Sequence, residues 1–271
     1  NSFFRVSVEV LAKQMTLIDQ TAFHSIPIIE YLDKAWERPR YCGVNDNTRS
    51  WIDRFNAGSE YFITQILSSK GEEERIHRVN HIAKLGKTLL DMNNFMSAAM
   101  VTFALSHISL KNIESLWRNL PKNTVGYIDE LIICMSHAQN YANYRKRLQK
   151  VHPVKLCRVK SDDRHNILIS KPCIPNLLVH HKDIFYEHES YSMKTGIKNS
   201  HISFQRSRLL GKHLLLLHNL RKNVYVFKTD IAVALMLEQN IKPRLSFLES
   251  NKTKSQNQIY CFGKTISHHS S

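Results

Sequence analysis

Ile76, Val79, Ile82, Leu85, Leu89 and Met92 follow one another at steps of three and four residues. That period lays all six on one side of an α-helix. The same rhythm runs from residue 8 to about residue 240. A half-buried strand needs alternation at every second residue, and no sustained alternation bounded by hairpin turns occurs. The chain is therefore expected to be all-α, a single large helical domain. Only 8 Gly and 7 Pro occur in 271 residues, too few for a many-turned sandwich or a disordered chain.

The stripes can be followed one by one. Val10, Leu11, Met15, Leu17 and Ile18 predict a buried opening segment. Ile28, Ile29, Leu32 and Trp36 predict a short helix between Pro27 and Pro39, since proline suits a first turn and ends a helix. A loop at residues 45–47 precedes a longer helix carrying Ile52, Phe55, Phe62, Ile63 and Ile66. Glu72, Glu73 and Glu74 place negative charge at the start of the next helix, where it suits the helix dipole. Asn93-Asn94 predicts a break. Phe95, Ala98, Ala99, Thr102 and Leu105 then form a stripe rich in small residues. Ile113 to Leu120, stopped by Pro121, make a third, and Ile128, Leu131, Ile132 and Met135 a fourth. Tyr141, Tyr144 and Leu148 open a fifth.

Two stretches lose the rhythm. Residues 154–171 are polar and mixed, and are expected to be an inserted surface loop. Residues 241–271 are rich in Ser, Lys, Asn and Gln and are expected to be a flexible tail. The expected organisation is a short flank over residues 1–7, a domain over residues 8–240, and the tail. The chain opens on Asn1, which predicts a piece of something longer. No signal segment opens it, no apolar run reaches membrane-spanning length, and the five cysteines form no Cys-x-x-Cys pair. These features predict a reduced, intracellular, soluble protein.

The net charge of +15 suits nucleic acid, an anionic membrane or an acidic protein. Lys146, Arg147, Lys150, Lys155, Arg158 and Lys160 form the densest basic cluster. It is expected to be a solvated helix end and loop, with anionic lipid or an acidic partner as the functional options. Nothing resembles a recognition helix, so nucleic acid is not expected as a partner. Fifteen histidines include His180-His181 and His188 beside Glu189. No metal-ligand spacing joins them, so a solvated polar face is expected and no metal. No glycine-rich phosphate loop occurs, so the chain itself need not bind nucleotide, and no cofactor is expected.

Several strings, in order, carry a resemblance. They are Leu11-Ala-Lys-Gln-Met-Thr-Leu-Ile-Asp19 followed by Phe23, Trp51-Ile-Asp-Arg-Phe-Asn56, and Asp91-Met-Asn-Asn-Phe95. After them come Leu116-Trp117 with Leu120-Pro121, Asn140-Tyr-Ala-Asn-Tyr-Arg145, Pro172-Cys-Ile-Pro175 with Asp183, and Ile202-Ser-Phe204. Each is weak alone. Together, over residues 8–240, they resemble the catalytic domain of Ras-type guanine-nucleotide exchange factors.

The resemblance implies a protein that acts without covalent chemistry and is not an enzyme in that sense. It implies a protruding helical hairpin that is pushed between switch I and the nucleotide of a small GTPase, and an apolar groove that grips switch II. The GTPase would be of Ras, Rap or Ral type. The protein would be cytoplasmic and recruited to the inner face of a membrane. The hairpin maps onto residues 179–189, with a return arm from about Ile202 to Arg221. Phe185 would block the Mg²⁺ site and Glu189 would compete with the phosphate. They lie four apart, on one helix face. On spacing alone Phe185 reads as core and Glu189 as a solvated acid. The groove maps onto Ile52, Ala99, Phe103, Tyr141 and Val179. Asp53, Ser106 and His107 are further positions expected to meet the partner.

The sequence also departs from the family pattern. Asp53 stands where the family often has Arg, and Ser106 where it often has Asn. Asn176-Leu177-Leu178 replaces Phe-Leu-Gly. The family's closing motif is not found, and neither is the helical module that usually braces the hairpin. These departures keep open an alternative, an exchange-inactive adaptor that binds a partner without releasing nucleotide.

Overall fold

A computed structural model of the chain describes residues 2–31, 46–152, 171–194 and 204–241, except the side chains of residues 46, 188–194 and 204–206. Among the described residues there are eleven α-helices and no strand. They are α1 (Val8–Ser25), α2 (Asp46–Leu67), α3 (Glu72–Asp91), α4 (Phe95–Leu105), α5 (Ile108–Lys111) and α6 (Glu114–Arg118). The chain continues through α7 (Lys122–Met135), α8 (Ala138–Val151), α9 (Leu177–Lys194), α10 (Phe204–Leu220) and α11 (Ile231–Asn240). The helical domain expected from the periodicity is thus present. Most of the inserted loop, nearly all of the tail and the segment from Leu32 to Asn45 lie outside the described residues. Of the short helix expected at Ile28, the described part is a 3-10 turn, Ile28–Tyr31, with Ile28 and Ile29 exposed.

α4 is the centre. It is apolar on every side, and all its residues but Phe103 are buried, as expected of a helix enclosed by others. It packs against α2, α3 and α7, and α3 in turn packs against α1 and α7. Gly86 lies where α3 passes α7 and α4. A Cβ there would meet Leu131 and Val101 side-chain carbons at 2.7 Å.

The break at Asn93-Asn94 has a specific shape. Asn93 takes a left-handed conformation, φ 63°, which asparagine tolerates better than most residues. Asn94 then caps α4, its side-chain oxygen accepting from the Ser97 N–H at 3.1 Å. The same side chain donates to Asp19 Oδ2 at 2.8 Å and Thr16 Oγ1 at 3.1 Å. Asp19 is fully buried and also accepts from Arg54 Nε at 3.0 Å and from the Ser97 hydroxyl. One carboxylate on α1 therefore ties α2 and α4 together, its two oxygens accepting from Arg54, Asn94 and Ser97, the kind of pairing a buried charge requires.

The turn that follows α3 also places a distant segment. Ile174 donates its N–H to Asn93 O at 3.0 Å and accepts from Phe95 N at 2.9 Å. Residues 172–175 are thereby pinned against the start of α4, and α9 departs directly from them. α9 and α10 pack on each other as the two arms of a helical hairpin.

Candidate functional site

The root of α9 is held at three points. Asn176 is buried, and its side-chain oxygen accepts from Leu178 N at 3.2 Å, an N-terminal cap. One turn on, His180 Nε2 lies 2.9 Å from the Tyr144 hydroxyl, which also accepts from Asn176 N at 3.1 Å. The hydroxyl accepts from the amide, and the direction of its bond to the neutral imidazole follows the ring's tautomer. Asp183 completes the set: both its carboxylate oxygens lie 2.9 Å from Arg145 Nη2. Arg145 Nε donates to Asn140 O at 2.7 Å.

His180 and His181 are buried, not solvated as their pairing in sequence suggested. Burial, helped by Arg145, His213 and His181, pushes the His180 pKa down to about 3. Burial alone pushes that of His181 down to about 4. Both are neutral near neutral pH. The error came from reading polarity as exposure. His181 packs its ring against Tyr31 (5.4 Å between centroids) and Trp51 (6.3 Å), an aromatic role that pairing along the chain cannot display.

α8 bends where it faces this root. Gln139, Asn140 and Tyr141 take left-handed backbone conformations in succession, with φ of 49°, 55° and 60°. Left-handed geometry costs a non-glycine residue roughly 1–2 kcal/mol, and such strain concentrates at functional sites. The bend sets Tyr141 beside α9, where Lys182 Nζ stands 5.7 Å from its ring centre and 5.7 Å from that of Tyr186. Burial raises the Tyr141 pKa. A polar cleft of about 410 Å³ opens here, lined by Asn140, Arg145, Asp183, Tyr186, Glu187 and His213.

The remaining expected positions fall on helices joined by aromatic contacts. Phe55 of α2 meets Phe103 of α4 at 6.2 Å, and Phe95 of α4 meets Tyr144 of α8 at 5.2 Å. Ile52 and Tyr141 are partly buried and Phe103 is 37% exposed, so these three offer apolar surface. Ala99 and Val179 are buried and offer little. Asp53 is half-buried, and burial raises its pKa against the opposing pull of Arg49. Ser106 ends α4 and borders an apolar cleft of about 310 Å³ with Trp117, Ile128 and Ile132. His107 caps α5, its Nδ1 accepting from Ser109 N at 3.3 Å, and its ring lies 6.4 Å from Phe103. Phe185 is half-buried two turns along α9, edge-on to Tyr186 at 5.8 Å. Glu189 lies on the same helix, with its side chain outside the described residues. Among the described residues no three His, Cys, Asp or Glu are grouped to hold a metal.

Sequence reasoning quoted Tyr144, Arg145 and Asp183 inside motifs without seeing that they converge. It missed Lys182, Tyr186 and the capping role of Asn176. The last was legible in principle, because asparagine just before a helix is a capping signal.

The described residues thus form an all-helical domain whose two-helix hairpin is rooted beside a partly exposed apolar face. The model of the RasGEF domain family matches residues 10–208, and the chain belongs to that family. Among curated proteins it is similar to Ras guanine nucleotide exchange factor Q of Dictyostelium discoideum, 22% identical over 88% of this chain and 17% of the relative. Factor G of the same organism is 26% identical over 84% of this chain and 13% of the relative. Factor J is 26% identical over 93% of this chain and 30% of the relative. The chain therefore spans less than a third of the length of these relatives.

Proposed function

We propose that this chain releases GDP from a Ras-family small GTPase, gripping switch II with its apolar face and inserting the α9–α10 hairpin near switch I. One observation carries the reading furthest: the root of α9 is fastened by the Asn176 cap, the Tyr144–His180 bond and the Arg145–Asp183 pair, beside apolar surface on Ile52, Phe103 and Tyr141. A wedge displaces nucleotide only if its base does not yield. Tight binding to the nucleotide-free GTPase must weaken nucleotide binding by the same factor, so no covalent step is needed. Ile52, Phe103, Tyr141, Asp53, Ser106 and His107 meet the partner, over a floor of Ala99 and Val179. Phe185 and Glu189 reach the metal and phosphate site. The half-buried Asp53 selects among Ras, Rap and Ral type partners by charge. The place of action is the cytoplasmic face of a membrane.

The adaptor reading drew on Asp53, Asn176 and Leu178. Asn176 caps α9 through the Leu178 N–H, and Leu178 packs against the core. This favours an intact wedge. The test is release of a fluorescent GDP analogue from Ras, Rap and Ral proteins with and without the chain. Acceleration on one of them, lost by at least about tenfold in Phe185→Ala/Glu189→Ala, is expected, since wedge contacts are made only on the way to release. Binding without acceleration by a folded chain would replace exchange with the adaptor.

A further inference from the structure

Between Glu189 and Asp230 the sequence runs through forty residues without an Asp or Glu, and carries eight Lys and Arg. This stretch alone accounts for 8 of the net +15 charge. It contains α10 and the extended strap that links α10 to α11. Along the strap the side chains alternate. Tyr225 and Phe227 turn inward, whereas Val224, Val226 and Lys228 are exposed. On α10, Arg208, Lys212 and Leu215 are exposed at spacings of four and three, one face of the helix. Among the described residues no ion pair holds Arg208, Lys212, Lys222 or Lys228.

Large apolar side chains are exposed along the same stretch and just past its end on α11. Val226 is 87% exposed, Leu215 58% and Val224 47%, and Ile231 and Leu235, one turn apart on α11, are 71% and 51%. The carboxylate that ends this run, Asp230, is occupied in capping α11 through Val233 N at 3.1 Å. The basic cluster that stands out in sequence is different. Of its described members, Arg147 is ion-paired with Asp91 and Glu130, both at 3.1 Å.

We infer that the outward face of α10, the strap and the start of α11 binds an anionic phospholipid surface. This rests on the exchange reading only for its purpose, which is to hold the domain where a membrane-anchored GTPase is found. Cations alone would suit any polyanion. Exposed aliphatic side chains interleaved with them suit a surface that has hydrocarbon beneath its phosphates. Each basic residue at such a surface strengthens partitioning by roughly fivefold, and salt weakens it.

The test is co-sedimentation of the 271-residue chain with phosphatidylcholine vesicles, with and without phosphatidylserine. Binding only to the phosphatidylserine vesicles, falling with salt, is expected. The variant Lys222→Glu/Lys228→Glu should lose roughly tenfold or more in partitioning. Val226→Ser should weaken binding with charge unchanged, and Lys146→Glu/Lys150→Glu should leave it intact. GDP release from a soluble, lipid-free GTPase should be the same for Val226→Ser as for the parent, so a failed exchange assay and a failed vesicle assay remain separate results. No vesicle binding, equal binding to neutral vesicles, or loss only in the Lys146/Lys150 variant would overturn the assignment. Capture by poly-glutamate beads without vesicle binding would replace lipid with an acidic protein.

Discussion

His180 illustrates how one side chain links the fold to the proposed wedge. Its Nε2 lies 2.9 Å from the Tyr144 hydroxyl, and its burial keeps it neutral. The folded pKa of about 3 lies below the ordinary histidine value of 6.5. Between those values the unfolded chain binds the proton and the folded chain does not. Stability therefore rises with pH through that window and is lost as pH falls below the unfolded value. His181, lowered to about 4, acts with the same sign. Thermal melts should show the midpoint falling as pH drops from about 7 to about 5, and His180→Gln should show a shallower fall. An equal slope in the variant would remove His180 as a source.

At the scale of elements, α3, α4 and α7 approach one another closely at Gly86. Alanine in place of glycine inside a helix ordinarily stabilises by about 1 kcal/mol. At Gly86 the added methyl would press on Leu131 and Val101, both held in a closed core. Overpacking of this kind costs about 1–3 kcal/mol. Gly86→Ala should therefore lower the urea midpoint, and a rise would mean the neighbours can move aside. The apolar period made α3 and α4 legible as helices and Phe95, Ala98 and Leu105 legible as core. It could not show that Asn93, Asn94 and Ile174 form one knot that aims α9, because those hydrogen bonds join segments far apart in the chain. The expected groove position Val179 came from the resemblance and not from an apolar stripe. Only the packing shows it to be buried.

Over the whole molecule, the strap closes the fold by bringing late residues back onto the first helix. Gln20 accepts from Tyr225 N at 2.6 Å, and Gln14 donates to Lys228 O at 3.0 Å and accepts from Asp230 N at 3.1 Å. Each glutamine serves the strap's backbone as a neighbouring strand would. The Tyr225 hydroxyl lies between the carbonyl oxygens of Met92 and Pro172, 3.0 Å from the latter. It thus joins the strap to the α3–α4 turn and to the segment that launches α9. Tyr225→Phe should cost roughly 1 kcal/mol and quicken amide exchange in the strap and in residues 171–176 together. Exchange confined to the strap would mean the two are not coupled.

Local chemistry set the helices, because a period near 3.6 residues is a property of neighbours along the chain. It also set the excess of positive charge and the strings that mark the RasGEF domain family. Tertiary structure decided the rest: which histidines are buried, which arginine is already paired, where Asp19 and Tyr225 tie distant segments, and which basic stretch keeps its charges and apolar side chains exposed. Those outcomes depend on which side chains meet across the core, and sequence spacing carries no record of such contacts.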